Sequence, residues 1–420
     1  MSERIQDRPI KVGVVGVGRG VSFYGGAKAA GMELVAICDT WEERLKSLSE
    51  EYGVAAYTDY DRFLEHEMDA VILANFFHEH APFAIRALRA GKHVMSEVSA
   101  CKTLQEGVAL VREVERSGKI YMLAENYPYF VYNQEMRRLY QAGEIGEMQF
   151  GEGEYIHPCS SEIYNVLAPG MSHWRNHKPA TYYCTHALAP IMYITDRRPV
   201  SVNAQCIPFS SADKQNLHVR HNDAAAVIMC RMDNDSVVTL NGISLRGHGN
   251  WYRVHGTRGL MENMRSGDPN RLRIRHEDYE LNEGEETERI YLPEFPVHPD
   301  LAEKAGHGGG DFFTNFHFAE AVRNNEQPYL DVYRALDMTI VGIQAYRSAL
   351  ADGAPFEVPD LRNEEMRVKY ENDNWSPFCE DRGPGQPYPS VKGPVVHSEE
   401  AVRYAEEVWR KIGREDVLSR

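Results

Sequence analysis

The fold is decided by the stretch Val12-Gly13-Val14-Val15-Gly16-Val17-Gly18-Arg19-Gly20. An apolar run of strand length, Lys11–Val15, leads directly into the glycines, and a helical pattern follows them. Between a strand and a helix, Gly16 permits a tight turn and Gly18 lets the backbone approach a pyrophosphate, which then lies at the positive end of the helix. The stretch therefore predicts a dinucleotide-binding βα turn.

Asp39 supports this interpretation from the end of the second predicted strand, 23 residues after Gly16. A carboxylate at this place accepts hydrogen bonds from the adenosine ribose hydroxyls and repels a 2′-phosphate, so NAD is favoured over NADP. Arg44 would weaken that exclusion if its side chain turned inward. The third fingerprint position is Val21, with Gly20 one residue early, so we expect the helix to pack less closely on its strand. A tight turn without a ligand is the competing interpretation.

Apolar runs of strand length alternate with helical patterns over residues 1–126, as in a parallel sheet buried on both faces. This pattern predicts an α/β Rossmann domain. The predicted strands are Lys11–Val15, Leu34–Cys38, Ala70–Ala74, His93–Ser96 and Ile120–Leu123, and the helices include Trp41–Tyr52, Ala81–Ala90 and Leu104–Ser117.

The second part of the chain, residues 127–359, has longer alternating segments and predicts an α+β domain with a large, mostly antiparallel open sheet. Its β segments are Met148–His157, Val200–Ile207, Ala224–Met232, Ser236–Leu245, Trp251–Gly256 and Leu272–His276, and its helices are Asn133–Ala142, Asp311–Arg323 and Val332–Leu350. Asp233-Asn234-Asp235 is a hairpin signal. Residues 360–420 predict an extension over the surface that ends in a helix, Ser398–Ile412.

The composition excludes several function classes. A formal net charge of −16 argues against nucleic acid and anionic membranes as partners, since both select clustered Lys and Arg. The seven cysteines lack Cys-x-x-Cys spacing, so neither a disulfide framework nor a zinc site is indicated. The polar amino terminus lacks the apolar stretch of a secretory signal, and no apolar run has membrane-spanning length, so we expect a cytoplasmic protein.

Several separated motifs resemble one enzyme superfamily. Ala90-Gly91-Lys92-His93-Val94 with Glu97, His80-Ala81-Pro82 and Trp174-Arg175 are similar to the Gfo/Idh/MocA oxidoreductases, and the resemblance runs from about Lys11 to Pro359. Where most of those dehydrogenases carry a lysine that acts as general base, this chain has Val98, which cannot move a proton. Either the chain binds its cofactor without catalysis, or other residues do the acid–base work.

One branch of that superfamily provides the second solution. The chain resembles the NAD-dependent glycoside hydrolases of the α-N-acetylgalactosaminidase type in Glu97-Val98-Ser99-Ala100, Glu125-Asn126 with the nearby Tyr129, Gly153-Glu154-Tyr155-Ile156-His157, Tyr183-Cys184-Thr185-His186 and His307-Gly308-Gly309-Gly310-Asp311. In that branch, the corresponding tyrosine, histidines and glutamate line the sugar site. The stretch between Arg175 and Tyr183 is shorter here, and the N-acetylgalactosamine specificity is therefore not carried over.

Four residues are the candidates for catalysis. Removing a hydride from a sugar carbon requires a base for the hydroxyl proton, and His186, at the start of a buried helical segment, suits that task. Tyr155 and His157 alternate along one strand and so point to the same face, where they could act on neighbouring sugar carbons. Glu125 follows the carboxyl end of a strand, the edge at which such sheets bind ligands. A core histidine and a solvent-facing strand are the competing structural interpretations.

The remaining polar residues divide into cofactor and substrate candidates. We assign Glu97 to the cofactor ribose, and Gly16, Gly18, Arg19, Gly20, Asp39, Asn75, His80 and Asn126 to the same cofactor site. By the resemblance, Arg175, His307 and Asp311 would bind the substrate. Trp174 and Tyr183 could stack on a pyranose face, with packing in the core as the competing interpretation. His78 and His80 lack further ligands at metal-binding spacing, so no metal is expected.

The leading functional hypothesis follows from the resemblance. It implies that NAD transiently oxidises the sugar at C3, that elimination expels the group at C1, and that water addition and re-reduction complete a glycoside cleavage. The alternatives are a sugar or polyol dehydrogenase that releases NADH and a non-catalytic NAD-binding protein. The expected partners are a small carbohydrate and further copies of the chain, as a dimer or tetramer.

Overall fold

The amino-terminal sheet consists of six parallel strands. The computed structural model describes residues 8–210 and 217–418. The strands are β1 Ile10–Val15, β2 Met32–Cys38, β3 Ala55–Tyr57, β4 Ala70–Leu73, β5 His93–Ser96 and β6 Tyr121–Leu123. Their order is β3-β2-β1-β4-β5-β6. The strand order reverses direction between β1 and β4, and this is the point where doubly wound sheets bind dinucleotides. The predicted Rossmann fold is confirmed.

Helices cover both faces of this sheet. They are α1 Val21–Ala29, α2 Glu42–Tyr52, α3 Tyr60–Leu64, α4 His80–Arg89 and α5 Leu104–Ser117. Helices α2 and α5 end at Gly53 and Gly118, whose left-handed backbone stops each helix. The sequence analysis missed β3 and α3, which have three and five residues and are too short to show a period.

The second sheet has nine strands, in the order β14-β13-β12-β11-β7-β10-β9-β8-β15. The strands are β7 Met148–Ile156, β8 Pro199–Ile207, β9 Ala225–Met232, β10 Val237–Ile243, β11 Gly249–Gly256, β12 Gly259–Asn263, β13 Leu272–His276, β14 Glu288–Tyr291 and β15 Phe356–Glu357. Every pair is antiparallel except β7 with β10. The mostly antiparallel sheet and the β9–β10 hairpin are thus confirmed, whereas β12, β14 and β15 were missed.

Helices pack on one face of this sheet and join it to the first. They are α6 Val131–Gln141, α7 Ser161–Leu167, α8 Trp174–His177, α9 Thr185–Thr195, α10 Pro299–Ala302, α11 Gly310–Asn324 and α12 Val332–Leu350. Helix α12 contacts both halves, because Thr339 lies 3.1 Å from the hydroxyl of Ser99 while Ser348 accepts from the backbone of Ala204 on β8. The boundaries 1–126, 127–359 and 360–420 remain predictions.

The carboxyl-terminal extension contains a buried contact that was not predicted. It forms α13 Glu364–Tyr370 and ends in α14 Glu399–Lys411, close to the predicted last helix. Between them, Phe378 is fully buried against Phe77 of the first half and Tyr182 of the second. The Pro and Gly content on which the expected surface path rested did not indicate this buried aromatic side chain. Among the residues described, no helix has the length and hydropathy to cross a membrane.

We predict that Phe378→Ala destabilises the whole protein by about 3 kcal/mol, since it leaves a cavity between the two halves. The thermal unfolding midpoint measures the effect. Val396→Ala is the matched control, because Val396 lies in the same extension and is 83% exposed. Equal midpoints for the two variants would contradict an integral role of the extension.

Candidate active site

Most of the predicted cofactor residues lie at one edge of the six-stranded sheet. The loop after β1 carries Gly16 to Gly20, and Asp39, Asn75 and Glu97 follow β2, β4 and β5, while Glu125 and Asn126 follow β6. The carboxyl ends of parallel strands meet at one edge, so residues far apart in sequence share a single crevice.

The glycine loop is shaped by close backbone contacts. Gly16 has a φ of +96°, and a Cβ there would lie 2.3 Å from the carbonyl oxygen of Ala74. A Cβ on Gly20 would lie 2.0 Å from the carbonyl oxygen of Gly16. Gly20 therefore supplies the close approach of loop to helix that the fingerprint assigns one position later. Gly18 has open space in front of its Cα, which suits an approaching pyrophosphate.

Asp39 holds this loop in place. Its carboxylate accepts hydrogen bonds from the backbone N–H of Val17 at 2.7 Å and of Trp41 at 2.9 Å. A carboxylate has about four acceptor positions, so two remain for ribose hydroxyls. The end of the extension lies nearby, since the pKa of Arg414 is raised first by its hydrogen bond with Asp416 and also by the charge of Asp39.

A further feature of this edge fits a bound dinucleotide. The side-chain oxygen of Asn75 is buried and has no hydrogen-bond partner in the part of the chain that the structure describes. A buried acceptor without a partner is costly, and a ligand donor would satisfy it. His80 contacts the carbonyl oxygens of Ser99 at 2.8 Å and Asn75 at 3.3 Å, which positions the loop around Asn75.

Five predicted residues from both halves of the chain form one polar cluster. Arg19 contacts Glu97 at 2.6 Å and Asp311 at 3.2 Å. Asp311 also accepts from Asn126 and contacts His307, both at 2.8 Å. Glu97, predicted to bind the cofactor ribose, is thus engaged with Arg19, and Asp311 and His307 lie beside the cofactor edge.

This cluster strongly favours the ionised form of Asp311. Burial alone would raise the pKa of its carboxyl, but the hydrogen bond with His307 and the charge of Arg19 outweigh burial and hold the pKa well below its usual range. The charges of Glu97 and Asp311 likewise outweigh burial at Arg19 and raise the pKa of its guanidinium. The two halves are therefore joined by an ion cluster next to the glycine loop.

His186 and Glu125 form a buried pair at the centre of the candidate site. The Nδ1 atom of His186 lies 2.7 Å and 2.8 Å from the two carboxylate oxygens of Glu125, whose side chain has no exposed surface. Nδ1 therefore carries the proton that it donates to Glu125. The other ring nitrogen, Nε2, has no hydrogen-bond partner among the residues described, which leaves it for a ligand.

Three tyrosines enclose the His186 ring. Tyr127 stacks on it at 4.4 Å between ring centroids, and Tyr155 and Tyr183 present their rings edge-on at 4.6 Å and 4.8 Å. Burial, and then the nearby Tyr183 and Tyr127, raise the pKa of the Tyr155 hydroxyl well above its usual value. Burial also raises the pKa of Tyr183 to about 12. These hydroxyls therefore stay protonated and act as hydrogen-bond donors at neutral pH.

Tyr127 was missed from the sequence, where the motif after Glu125 drew attention to Tyr129 instead. Tyr129 packs in the core against Tyr193 and is 1% exposed. The short helical turn Tyr127–Tyr129 turns the two side chains in different directions. Pro128 indicates a turn at this place, but it does not indicate which of the two tyrosine side chains faces the site.

His157 lies next to Tyr155, with 5.9 Å between their ring centroids, so the strand brings the two side chains to the same side. Its ring also meets that of His248 at 5.0 Å. Burial and then the charge of His248 lower the pKa of His157, which is therefore neutral at physiological pH. A neutral imidazole can accept a proton.

The predicted substrate residues on α8 and after it differ in exposure to this site. Trp174 is 9% exposed and stacks on Phe77 at 5.5 Å, while the guanidinium of Arg175 lies 4.5 Å from the Trp174 ring centroid. The Trp174 ring is thus covered by protein rather than open to a sugar. Arg175 and Tyr183 line a cavity of about 200 Å³, together with Tyr155 and His157. The cavity also contains residues that sequence reasoning missed, Lys178 and Arg220.

Residues 8–210 and 217–418 contain no group of three or more His, Cys, Asp or Glu side chains arranged to hold a metal ion. His78 contacts Glu380 at 3.4 Å and stacks on Phe378. His78 and His80 are thus used in packing and loop positioning.

Two family models match the chain. Residues 10–125 match the oxidoreductase family with an NAD-binding Rossmann fold, and residues 134–367 match the carboxyl-terminal domain of glycosyl hydrolase 109. The second match covers more than half of the chain.

Individual relatives and solved structures agree with these matches. A glycosyl hydrolase family 109 protein from Solibacter usitatus is 25% identical over 86% of this chain and 90% of its own length. An α-N-acetylgalactosaminidase from Shewanella oneidensis is 25% identical over 84% of this chain and 85% of its own. Levoglucosan dehydrogenase in complex with NADH is similar in fold, with a TM-score of 0.71 at 18% identity over 84% of this chain and all of that one. An inositol dehydrogenase homologue from Azotobacter vinelandii, complexed with NADH and myo-inositol, has a TM-score of 0.69 at 20% identity over 84% of this chain and 99% of its own.

We predict that Asp311→Asn lowers the free energy of unfolding at pH 7 by about 3 kcal/mol, because it leaves Arg19 without one of its carboxylates in a half-buried place. A carboxyl with a lower pKa in the folded than in the unfolded chain contributes stability that is complete above its unfolded pKa of about 3.9 and lost as the pH falls through the folded value. The difference from wild type should therefore shrink on acidification. Denaturant titrations at several pH values test this, with the exposed Asp300→Asn as the control; a difference independent of pH would contradict it.

Proposed function

The chain belongs to the glycosyl hydrolase 109 family, and on this premise we propose that it cleaves a glycosidic bond by transient oxidation of the sugar at C3, elimination, water addition and re-reduction. Its amino-terminal domain binds NAD, and the protein is an NAD-dependent enzyme that acts on a carbohydrate. The observation that carries the mechanism is the His186–Glu125 pair, enclosed by tyrosines next to the cofactor edge. When bound, NAD supplies the acceptor that takes a hydride from the sugar and returns it.

His186 is the base in this proposal. Its Nδ1 atom is held by Glu125, so Nε2 is the nitrogen that takes the C3 hydroxyl proton as the carbonyl forms and returns it on re-reduction. This residue replaces the lysine that is missing at Val98, a buried side chain with no titratable group.

Glu125 has a different role from the one predicted from the sequence. Because its side chain is fully buried behind His186, it cannot reach the C2 proton or the leaving group. We assign it instead to holding the imidazole in one tautomer and stabilising the positive charge that forms on it.

Tyr155 and His157 are assigned to the elimination. The neutral imidazole of His157 takes the C2 proton, which the C3 carbonyl acidifies. The Tyr155 hydroxyl, whose raised pKa keeps it protonated, donates a hydrogen bond to the leaving oxygen at C1, and the proton that His157 has taken from C2 passes to the departing group. Arg175 and Tyr183 bind the sugar from the adjoining cavity. Trp174, by contrast, supports Arg175 from behind rather than stacking on the sugar.

We predict that the NAD-loaded protein releases nitrophenol from at least one aryl glycoside without accumulating NADH, and that the reaction in deuterated water places deuterium at C2. His186→Gln keeps the shape of the ring edge but removes the base, so the rate should fall on the order of a hundredfold to ten-thousandfold. Absorbance follows both nitrophenol and NADH, and mass spectrometry follows the deuterium.

His255→Gln is the control, since His255 lies on β11 away from the cavity and should leave the rate unchanged. Stoichiometric NADH from a free sugar, with no aglycone release, would instead establish a dehydrogenase. Neither product with any aryl glycoside or free sugar would favour a non-catalytic NAD-binding protein.

We also propose that the enzyme forms a homo-oligomer in the cytoplasm. Three apolar side chains share the outer face of β8 and β9, where Ile207, Val227 and Met229 are 39%, 44% and 46% exposed. A second copy of the chain would bury such a face. All seven cysteines are free thiols, as suits a reducing compartment.

We predict that Met229→Arg lowers the solution mass measured by light scattering toward that of one chain, because a buried charge would destabilise the interface. Val368→Arg serves as the control, since Val368 is 56% exposed on α13. A wild-type protein that is already monomeric would contradict the proposed assembly.

A further inference from the structure

The cavity beside His186 has an unusual charge distribution. It is lined by Arg175, Lys178 and Arg220, and none of its described lining residues is acidic. The chain as a whole carries a net charge of −16, so this concentration of positive charge runs against its composition.

Arg220 is held by neutral acceptors only. Its guanidinium donates to the side-chain oxygen of Asn222 at 2.7 Å, the hydroxyl of Ser244 at 3.2 Å and the backbone oxygen of Asp223 at 2.8 Å. These bonds orient the guanidinium, and among the residues described no carboxylate oxygen accepts a hydrogen bond from it. Other enclosed arginines behave differently: Arg198, Arg347 and Arg367 each contact a carboxylate.

Arg175 and Lys178 have still fewer partners. The Nε–H group of Arg175 is buried and has no hydrogen-bond acceptor in the described chain, and the guanidinium packs against the ring of Trp174. Lys178 is 5% exposed, and its ammonium nitrogen lies 3.5 Å from the ring centroid of Tyr183. In residues 8–210 and 217–418, neither side chain forms an ion pair with a carboxylate.

An enclosed, uncompensated cluster of cations is energetically costly. At Lys178 this cost is expressed in the pKa, which burial first, and then the charges of Arg175 and Arg220, lower well below its ordinary value. A negative charge in the cavity would stabilise the charged forms of all three side chains. Guanidinium groups with free N–H donors match the oxygens of a carboxylate or sulfate.

We propose that this cavity binds an anionic substituent of the substrate, a carboxylate or sulfate group carried on the sugar that is cleaved or on its immediate neighbour. Tyr155 and Tyr183 line the cavity and also pack against the ring of His186, so a group bound there belongs to the same molecule as the reacting sugar. The inference rests on the proposed function for the position of the sugar ring. It identifies the substrate class as acidic glycosides.

Sugar binding to the NAD-saturated protein tests this by isothermal titration calorimetry. The probes are D-glucuronate, D-galacturonate and galactose 6-sulfate, compared with D-glucose and D-galactose. At least one acidic sugar should bind tenfold or more tightly than its neutral counterpart, and selection of the uronates or of the sulfated sugar identifies the anion. Saturation with NAD keeps the probes from the pyrophosphate site.

Lys178→Met removes the charge and retains the length of the side chain. It should weaken binding of the acidic sugar about tenfold, the order expected for one charge-assisted hydrogen bond, and leave neutral sugars within about twofold. It should also raise the unfolding midpoint of the sugar-free protein, because an uncompensated buried amine is removed. Lys392→Met, at an exposed position, should change neither quantity.

Equal affinities for acidic and neutral sugars would overturn the inference, as would a Lys178→Met variant that binds acidic sugars like wild type. If acidic sugars bind selectively and no glycoside is cleaved, the cavity assignment holds and the proposed reaction fails. If neutral glycosides are cleaved and charge makes no difference to binding, the cavity assignment alone fails.

Discussion

The structure depends on how the carboxylate of Glu125 is accommodated where no water reaches it. An unpaired carboxylate in such a place would be strongly destabilising, so its oxygens must have partners. They face the imidazole of His186 and the backbone N–H of Tyr127. Since Glu125 ends β6 and His186 begins α9, this requirement sets the position of the second half of the chain against the first.

The same region shows how the two halves divide the work. The amino-terminal half contributes the glycine loop and the buried carboxylate, and the second half contributes the imidazole, the tyrosines and the basic cavity. Arg19 lies where these contributions meet, because its guanidinium contacts Glu97 on its own side and Asp311 on the other. A substitution at this junction therefore affects stability and cofactor geometry together.

Sequence reasoning could identify whatever depends on local pattern. Gly16, Asp39 and the buried strands of the first sheet follow from spacing and period, and the motif around His186 marked the second half of the site. The contacts that charged side chains make in the folded protein could not be predicted in this way. The assignment of Glu97 to a ribose stays a prediction, and its contact with Arg19 was not foreseen, because both ends of an ion pair 78 residues apart look like ligand-binding groups in sequence. Lys178 and Arg220 were missed because only folding brings them to the same cavity.

The carboxyl-terminal extension has a consequence for how long the cofactor stays bound. Phe378 fastens the extension to both halves, and its final turn brings Arg414 within the electrostatic influence of Asp39. We therefore expect local opening of this segment to influence how long the dinucleotide stays bound. An enzyme that regains its oxidised cofactor within every catalytic cycle does not need to exchange the dinucleotide rapidly with solution, and an extension held in place by Phe378 is compatible with slow exchange.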